Sequence, residues 1–325
     1  MNTFLLRLNK FLRFISFPFT RLTAKQRKSL ALMRRDNARA RIHYRPGGGK
    51  GWEKLVAEFD ATFRFQGIRD VQQQSFNSRF AAFPPGNPVY YSIACNLMLL
   101  RLRERDKWGV IDRLKSTQGD CVRAYERSFG GFVVTWDLLI SISAIFSIAE
   151  VDSTIVDKSC TGLDLGAGWG RVGHALLRIN PSVKYICADL PETLLVSQSY
   201  LPTTLDGVRV SSYEDNIDNI TLDEPGLTFI GSHDLDRLEA NSIDFFINIA
   251  SFQEMQNSQV KGYIEDIDRL CRGIFYSRQI NFSNKKNGYQ IEGSEYYSYP
   301  SRWQRLYIRD APEWPDYFEA ALKIS

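Results

Sequence analysis

Hydrophobic and polar positions follow two regimes along the chain, and the change falls near residue 160. From there on, short apolar runs alternate with amphipathic stretches. The segments CTGLDL (160–165), VKYICADL (183–190), LTFIG (227–231), IDFFINIA (243–250) and GIFYSRQI (273–280) predict five strands. Between them, 170–180, 191–201 and 258–273 carry helical spacing; the first ends at Asn180-Pro181 and the second opens on Pro191. Strands alternating with helices predict an α/β fold with a parallel sheet covered on both faces. Ligands of such sheets bind at the carboxyl ends of the strands, near the point where strand order reverses.

Before residue 160 the pattern is mostly helical, with a break at FPPGNP (83–88) and helices expected over 90–106 and 109–116. The run FGGFVVTWDLLISISAIFSIAE (129–150) is apolar for only about 18 residues and holds Asp137 near its start, which favours a buried helix leading into the sheet over a membrane span. Gly130-Gly131 ahead of it suits either a ligand-facing loop or an ordinary turn.

The first 50 residues differ again. They hold 13 Lys and Arg and one acid, Asp36, whereas the other 275 residues hold 28 basic and 36 acidic residues. On a helix over 2–20, Phe4, Leu5, Leu8, Phe11, Leu12, Ile15 and Phe19 share a sector about 120° wide, with Lys10 and Arg13 opposite. Leu6, Phe14 and Phe17 fall on the charged side, and Pro18 ends or kinks the helix. Three readings stay open: a membrane-interface tether through residues 2–45, a transit peptide, and a helix packed on the body. A secretory signal is disfavoured because no uninterrupted apolar stretch follows the charges. A nucleic-acid arm has no need of so many Phe and Leu residues, and no nucleic-acid partner is expected. RPGGGKGW (45–52) lacks the spacing of a phosphate loop and reads as a linker. The chain thus divides into an arm and linker (1–50), a helical region (51–150) and the α/β domain (151–325).

Cys95, Cys121, Cys160, Cys187 and Cys271 are scattered, without C-x-x-C spacing, and read as reduced thiols. This places the protein in the cytoplasm, with peripheral contact on the inner face of the membrane if the arm is a tether. Three histidines make a built-in zinc site an unattractive reading; a divalent metal is left open but not indicated.

The chemistry concentrates at TGLDLGAGWGR (161–171), at the carboxyl end of the first α/β strand. Its glycines, Gly166, Gly168 and Gly170, form G-x-G-x-G, and Arg171 stands where a dinucleotide fingerprint needs its third glycine. The run Asp164-Leu165-Gly166-Ala167-Gly168-Trp169-Gly170 resembles the first motif of class I S-adenosylmethionine-dependent methyltransferases. That resemblance implies a Rossmann-like methyltransferase sheet with S-adenosylmethionine as cofactor. Asp164 is then the acid at the cofactor's amino acid end, and Gly166, Ala167, Gly168 and Gly170 its cradle. Asp189 and Leu190, closing the second strand, take the ribose position. Ser232 and His233 take the adenine position, and Asn248 to Glu254 line the reaction chamber.

TWDLL (135–139), FINIASFQEM (246–255) and YYSYPSRWQRLYIR (296–309) further resemble a bacterial family of sugar O-methyltransferases, over roughly residues 85–320. The implied acceptor is a hydroxyl of a sugar or glycan, nucleotide- or lipid-linked. A sugar hydroxyl is a very weak acid, so a base is expected. Glu254 is the first candidate and His233 the second; His174 reads as structural. Tyr289, Tyr296, Tyr297, Tyr299, Trp303 and Tyr307 suit either sugar stacking or core packing, and Arg278, Arg302 and Arg305 either phosphate pairing or ordinary ion pairs. The other readings are a silent methyltransferase-like scaffold, a methyltransferase for a non-sugar small molecule, one for RNA or protein, and an NAD enzyme. No amino-methylating N/D-P-P-Y/F motif follows the fourth strand, where NIASFQ stands.

Overall fold

The computed structural model describes residues 22–40, 88–114, 127–129, 132–281 and 297–324. The arm helix expected over 2–20, the linker at 45–52, Cys121, Gly130-Gly131, Tyr289 and Tyr296 lie outside them. The described elements in chain order are α1 (Ala24–Arg39), α2 (Pro88–Arg105), α3 (Val110–Arg113), β1 (Arg127–Phe129), β2 (Phe132–Val134), α4 (Trp136–Ala149) and α5 (Thr154–Asp157). There follow β3 (Thr161–Leu165), α6 (Arg171–Ile179), β4 (Lys184–Asp189), α7 (Pro191–Tyr200), β5 (Val210–Ser211), β6 (Gly226–Gly231) and β7 (Ile243–Ile249). The chain closes with α8 (Asn257–Leu270), β8 (Cys271–Ile280), β9 (Gln304–Ala311) and β10 (Trp314–Lys323).

An eight-stranded mixed sheet runs in the order β5-β6-β4-β3-β7-β8-β10-β9. The pairs β5/β6, β6/β4, β4/β3, β3/β7 and β7/β8 are parallel, while β10 is antiparallel to both β8 and β9. This is a Rossmann-like α/β fold with a mostly parallel sheet, preceded by helices. The five strands read from sequence all form, and the sheet gains an edge strand, β5, and the β9/β10 hairpin. The chain builds outward from β3 through β4 to β6, then crosses to β7 on the other side of β3. The strand order therefore reverses at β3, and the glycine run sits there.

Alternation along the parallel strands supplies both faces. Tyr185, Cys187, Phe229, Phe245 and Tyr276 join one buried cluster with α4, α6 and α7. Ile186, Ala188, Ile230, Phe246 and Phe275 join another with α8. Helix α4 is buried continuously from Asp137 to Ala149, with Thr135 capping it through the Leu138 amide (3.2 Å). The apolar run expected as one helix from 129 is thus a short β1/β2 hairpin followed by that helix. Among the described residues no helix is long and apolar enough to cross a membrane. Within the arm, α1 has a capping box built from Thr23 and Gln26 and packs its Ser29, Leu30, Met33 and Asn37 face inward, in contact with α7. Cys95, Cys160, Cys187 and Cys271 are buried free thiols.

Candidate functional site

The glycine loop between β3 and α6 is held open by three left-handed residues, Gly166 (φ 74°), Gly168 (φ 63°) and Gly170 (φ 88°). A side chain is strained in that region, and at Gly166 a Cβ would also overlap Ser251 Oγ in the turn after β7. At Gly170 it would come within 2.6 Å of Leu201 Cδ2. Trp169 does not point to solvent: it is 2% exposed and packs edge-on against His174 and Tyr200. His174 is accordingly part of the framework. Gly166, Gly168 and Leu190 are partly exposed, while Ala167 and Gly170 are buried.

Two carboxylates flank the loop. Asp164 is 2% exposed and accepts a 2.8 Å hydrogen bond from the Tyr185 hydroxyl. Tyr185 reaches it by lying flat against α6 where Gly173 offers no side chain. Burial pushes the Asp164 carboxyl up to about 6, against the opposing pull of the Tyr185 bond and of Arg171. Asp189, 6% exposed, accepts from the Gly168 amide (2.8 Å) and the Leu190 amide (2.7 Å). Burial pushes it up to about 7 despite those two bonds, and the charges of Asp164 and Glu254 push the same way. Among the described residues neither carboxylate belongs to an ion pair.

Arg171 opens α6 and lies 3.8 Å from Asp137 at the start of α4. Its charge also acts on Asp164 and on Tyr317 of β10. Tyr317 in turn feels Glu254 and bonds Gln253. Arg171, Asp137, Tyr317 and Glu254 are thus linked to one another and to the two carboxylates by an ion pair and by electrostatic interactions. Glu254 is exposed, at the end of a short 3-10 turn (Phe252–Glu254) that follows β7.

That turn is carried on a buried amide network. Asn248, expected among the cofactor-binding residues, is fully buried; its side chain donates to Leu165 O (2.8 Å) and accepts from the Phe252 amide (3.1 Å) and Gln279 Nε2 (2.7 Å). Gln279 also accepts from the Gln253 amide, and Gln253 accepts from the Ile280 amide. Asn248 therefore supports the floor, tying the glycine loop to the turn that bears Glu254. At the end of β7, Ala250 is left-handed (φ 55°), with its amide bonded to Arg278 O.

Ser232 and His233 begin the turn after β6 and are 2% and 8% exposed. Both ring nitrogens of His233 are engaged: Nδ1 lies 3.4 Å from Asn37 Nδ2 of α1, and Nε2 lies 3.2 Å from the Tyr213 hydroxyl. Burial lowers its pKa, opposed by Asp234, Asp36 and Asp236 and assisted by Arg237. The Tyr213 hydroxyl also reaches Asp36 (3.1 Å). Sequence reasoning missed this junction, because Asp36 and Asn37 stand almost two hundred residues from His233. It also missed Tyr185, whose signal was a polar-tipped residue on the same strand face as Asp189, four positions before it.

Most of the C-terminal residues for which alternatives were left open take core packing or ordinary ion pairs. Tyr297 stacks on Phe252 and Tyr299 on Trp303, and both Tyr299 and Trp303 meet Phe275 edge-on, in the core under α8. Tyr307 donates to Ser147 O of α4. Arg278 is 2% exposed and paired with Glu319 (2.8 Å), and Arg302 pairs with Asp268 on the surface. Arg305 is exposed on the edge strand β9. The described aromatic rings here are spent on packing, and the charges of Arg278 and Arg302 on pairing within the chain. Among the described residues no group of three or more His, Cys, Asp or Glu could hold a metal.

No protein-family model matches the chain, and no curated protein sequence matches it. Among solved structures it is similar to a SAM-dependent methyltransferase from Aquifex aeolicus, with 16% identity over 57% of this chain and 93% of that one and a TM-score of 0.38. It is also similar to a geranyl diphosphate C-methyltransferase from Streptomyces coelicolor A3(2), with 11% identity, 55% and 80% coverage and a TM-score of 0.40. A third, PH0226 protein from Pyrococcus horikoshii OT3, has 12% identity, 55% and 86% coverage and a TM-score of 0.40. These are distant likenesses to a little over half of the chain.

Proposed function

We propose that this chain is an S-adenosylmethionine-dependent O-methyltransferase whose acceptor is a hydroxyl of a sugar or glycan. The observation that carries the cofactor is the pair of buried, unpaired carboxylates beside the left-handed glycine loop. Burial raises both pKa values, with Arg171 opposing the rise at Asp164 and no ion pair at either carboxylate among the described residues, so each needs a ligand that brings a cation or hydrogen-bond donors. A ligand with an ammonium and a sulfonium satisfies that need, whereas the pyrophosphate of a dinucleotide would meet two like charges. S-adenosylmethionine, when bound, supplies an electrophilic methyl group.

The chain's own residues do the rest. Each Asp189 oxygen already accepts one backbone amide and keeps a lone pair for a ribose hydroxyl. Asp164, fixed by Tyr185, faces the ammonium end. The glycines let the backbone approach. Glu254, raised on the Phe252–Glu254 turn and exposed, is the group placed to take the proton from the acceptor hydroxyl. His233 is a poorer base, because its nitrogens are engaged with Asn37 and Tyr213. The sugar acceptor rests on the sequence resemblance.

Calorimetric titration with S-adenosylmethionine and separately with NAD tests the cofactor; binding of NAD alone, or of neither by folded protein, would sink the reading. With a screen of nucleotide-sugars and glycolipids supplying an acceptor, Glu254→Gln is expected to lower kcat by about 10²- to 10⁴-fold, while the cofactor dissociation constant stays unchanged.

A further inference from the structure

Helix α1 has two faces of opposite character. Inward, Ser29, Leu30, Met33 and Asn37 are buried, and the flanking polar groups are spent on the α/β domain: Arg34 bonds Glu192 (2.7 Å), Gln26 bonds Ser199 (3.2 Å), and Asp36 accepts from Tyr213. Outward, Lys28, Arg35 and Arg39 are exposed and fall at i, i+7 and i+11, within one narrow sector of the helix. Ala24, Ala31 and Ala38 are exposed on one side of that sector. Asp36, the helix's one acid, offsets Arg35 in part (2.9 Å), and Lys25 at the edge acts on Asp215.

We propose that this outward face of α1 docks on an anionic lipid bilayer. Charge complementarity is the first reason: the exposed cations sit on the most basic stretch of a chain whose remainder carries more acid than base. The second is continuity, since the residues on either side, 1–21 and 41–50, add Lys10, Arg13, Arg41 and Arg45 to the same stretch. The apolar Phe and Leu residues at 4–19 make lipid, and not nucleic acid, the fitting polyanion. The docking does not depend on the catalytic reading. Its consequence does: Asn37 and Asp36 join this helix to the His233 turn, so docking holds the proposed cofactor site at a set distance from the bilayer.

The test is flotation of the full chain with phosphatidylcholine vesicles, with and without phosphatidylglycerol, in the absence of cofactor. Binding is expected only to the anionic vesicles and should fall steeply with added salt. Lys28→Glu with Arg35→Glu and Arg39→Glu should lower the partition coefficient by about 100-fold or more, with unchanged melting temperature. Arg39→Gln alone, a milder change, should lower it by about fivefold. Equal partition of the charge variants and the parent, equal binding to neutral vesicles, or complete displacement by a duplex oligonucleotide would each overturn the proposal. Because no cofactor is present, these outcomes are separate from any failure of S-adenosylmethionine binding.

Discussion

Two of the regions in which the protein buries carboxylates treat them in opposite ways. Between α4 and the β8/β10/β9 end of the sheet, Glu313, Arg105, Glu150, Arg309, Glu319 and Arg278 form an alternating chain of ion pairs. Ser143 and Tyr276 add hydrogen bonds. Every acid there has a guanidinium, and Glu319, with no exposed surface, has its pKa lowered: burial would raise it, but Arg278, Tyr276 and Arg309 together outweigh that. At the glycine loop, Asp164 and Asp189 are buried almost as deeply and have no ion pair; both pKa values are raised. Burial is the same cost in both places. What differs is whether the fold itself supplies the compensating charge, and a fold that withholds it has left room for a ligand that brings it.

Three measurements break or sharpen this contrast. The largest effect is expected at the compensated end. Glu319→Ala strands the buried Arg278 and should lower stability by about 3–5 kcal/mol, read as a shift of the denaturant midpoint. A loss below about 1 kcal/mol would mean that the ladder is solvated.

Next comes Asp189→Ala, which should weaken S-adenosylmethionine binding by about 100-fold through loss of charge-assisted bonds to the ribose. It should leave the stability of the free protein unchanged or improved. If instead the free protein is destabilised as strongly as by Glu319→Ala, Asp189 is a structural acid and not a waiting one.

The third test is in pH, and its sign differs between the two regions. Between about pH 4 and pH 7 the folded chain keeps protons on Asp164 and Asp189 that the unfolded chain has released, so their contribution to stability falls as pH rises through that window. Glu319 works the other way: its contribution is present above its ordinary value and is lost as pH falls. Cofactor affinity should rise with pH, by up to about tenfold per unit, below about pH 6 through Asp164 and below about pH 7 through Asp189, with protons released on binding. Asp189→Asn should flatten that rise. A pH-independent affinity in the parent would show that the carboxylates are already charged.

The sequence by itself determined the five parallel strands, the helices between them and the place of the glycine loop, because period-2 and period-3.6 apolar patterns and Pro191 are local signals. It also located Asp164 and Asp189 at the ends of their strands. It did not show what each side chain would touch. Whether Arg278 faced a ligand or Glu319, whether Tyr297 stacked on sugar or on Phe252, and whether Asn248 lined the site or braced it depended on partners far along the chain. The docking of Asn37 and Asp36 beside His233 and Tyr213 was likewise decided only in three dimensions. A lone residue's charge or ring has the same chemistry in every setting; the tertiary structure decides whether that chemistry is spent inside the protein or left for a ligand.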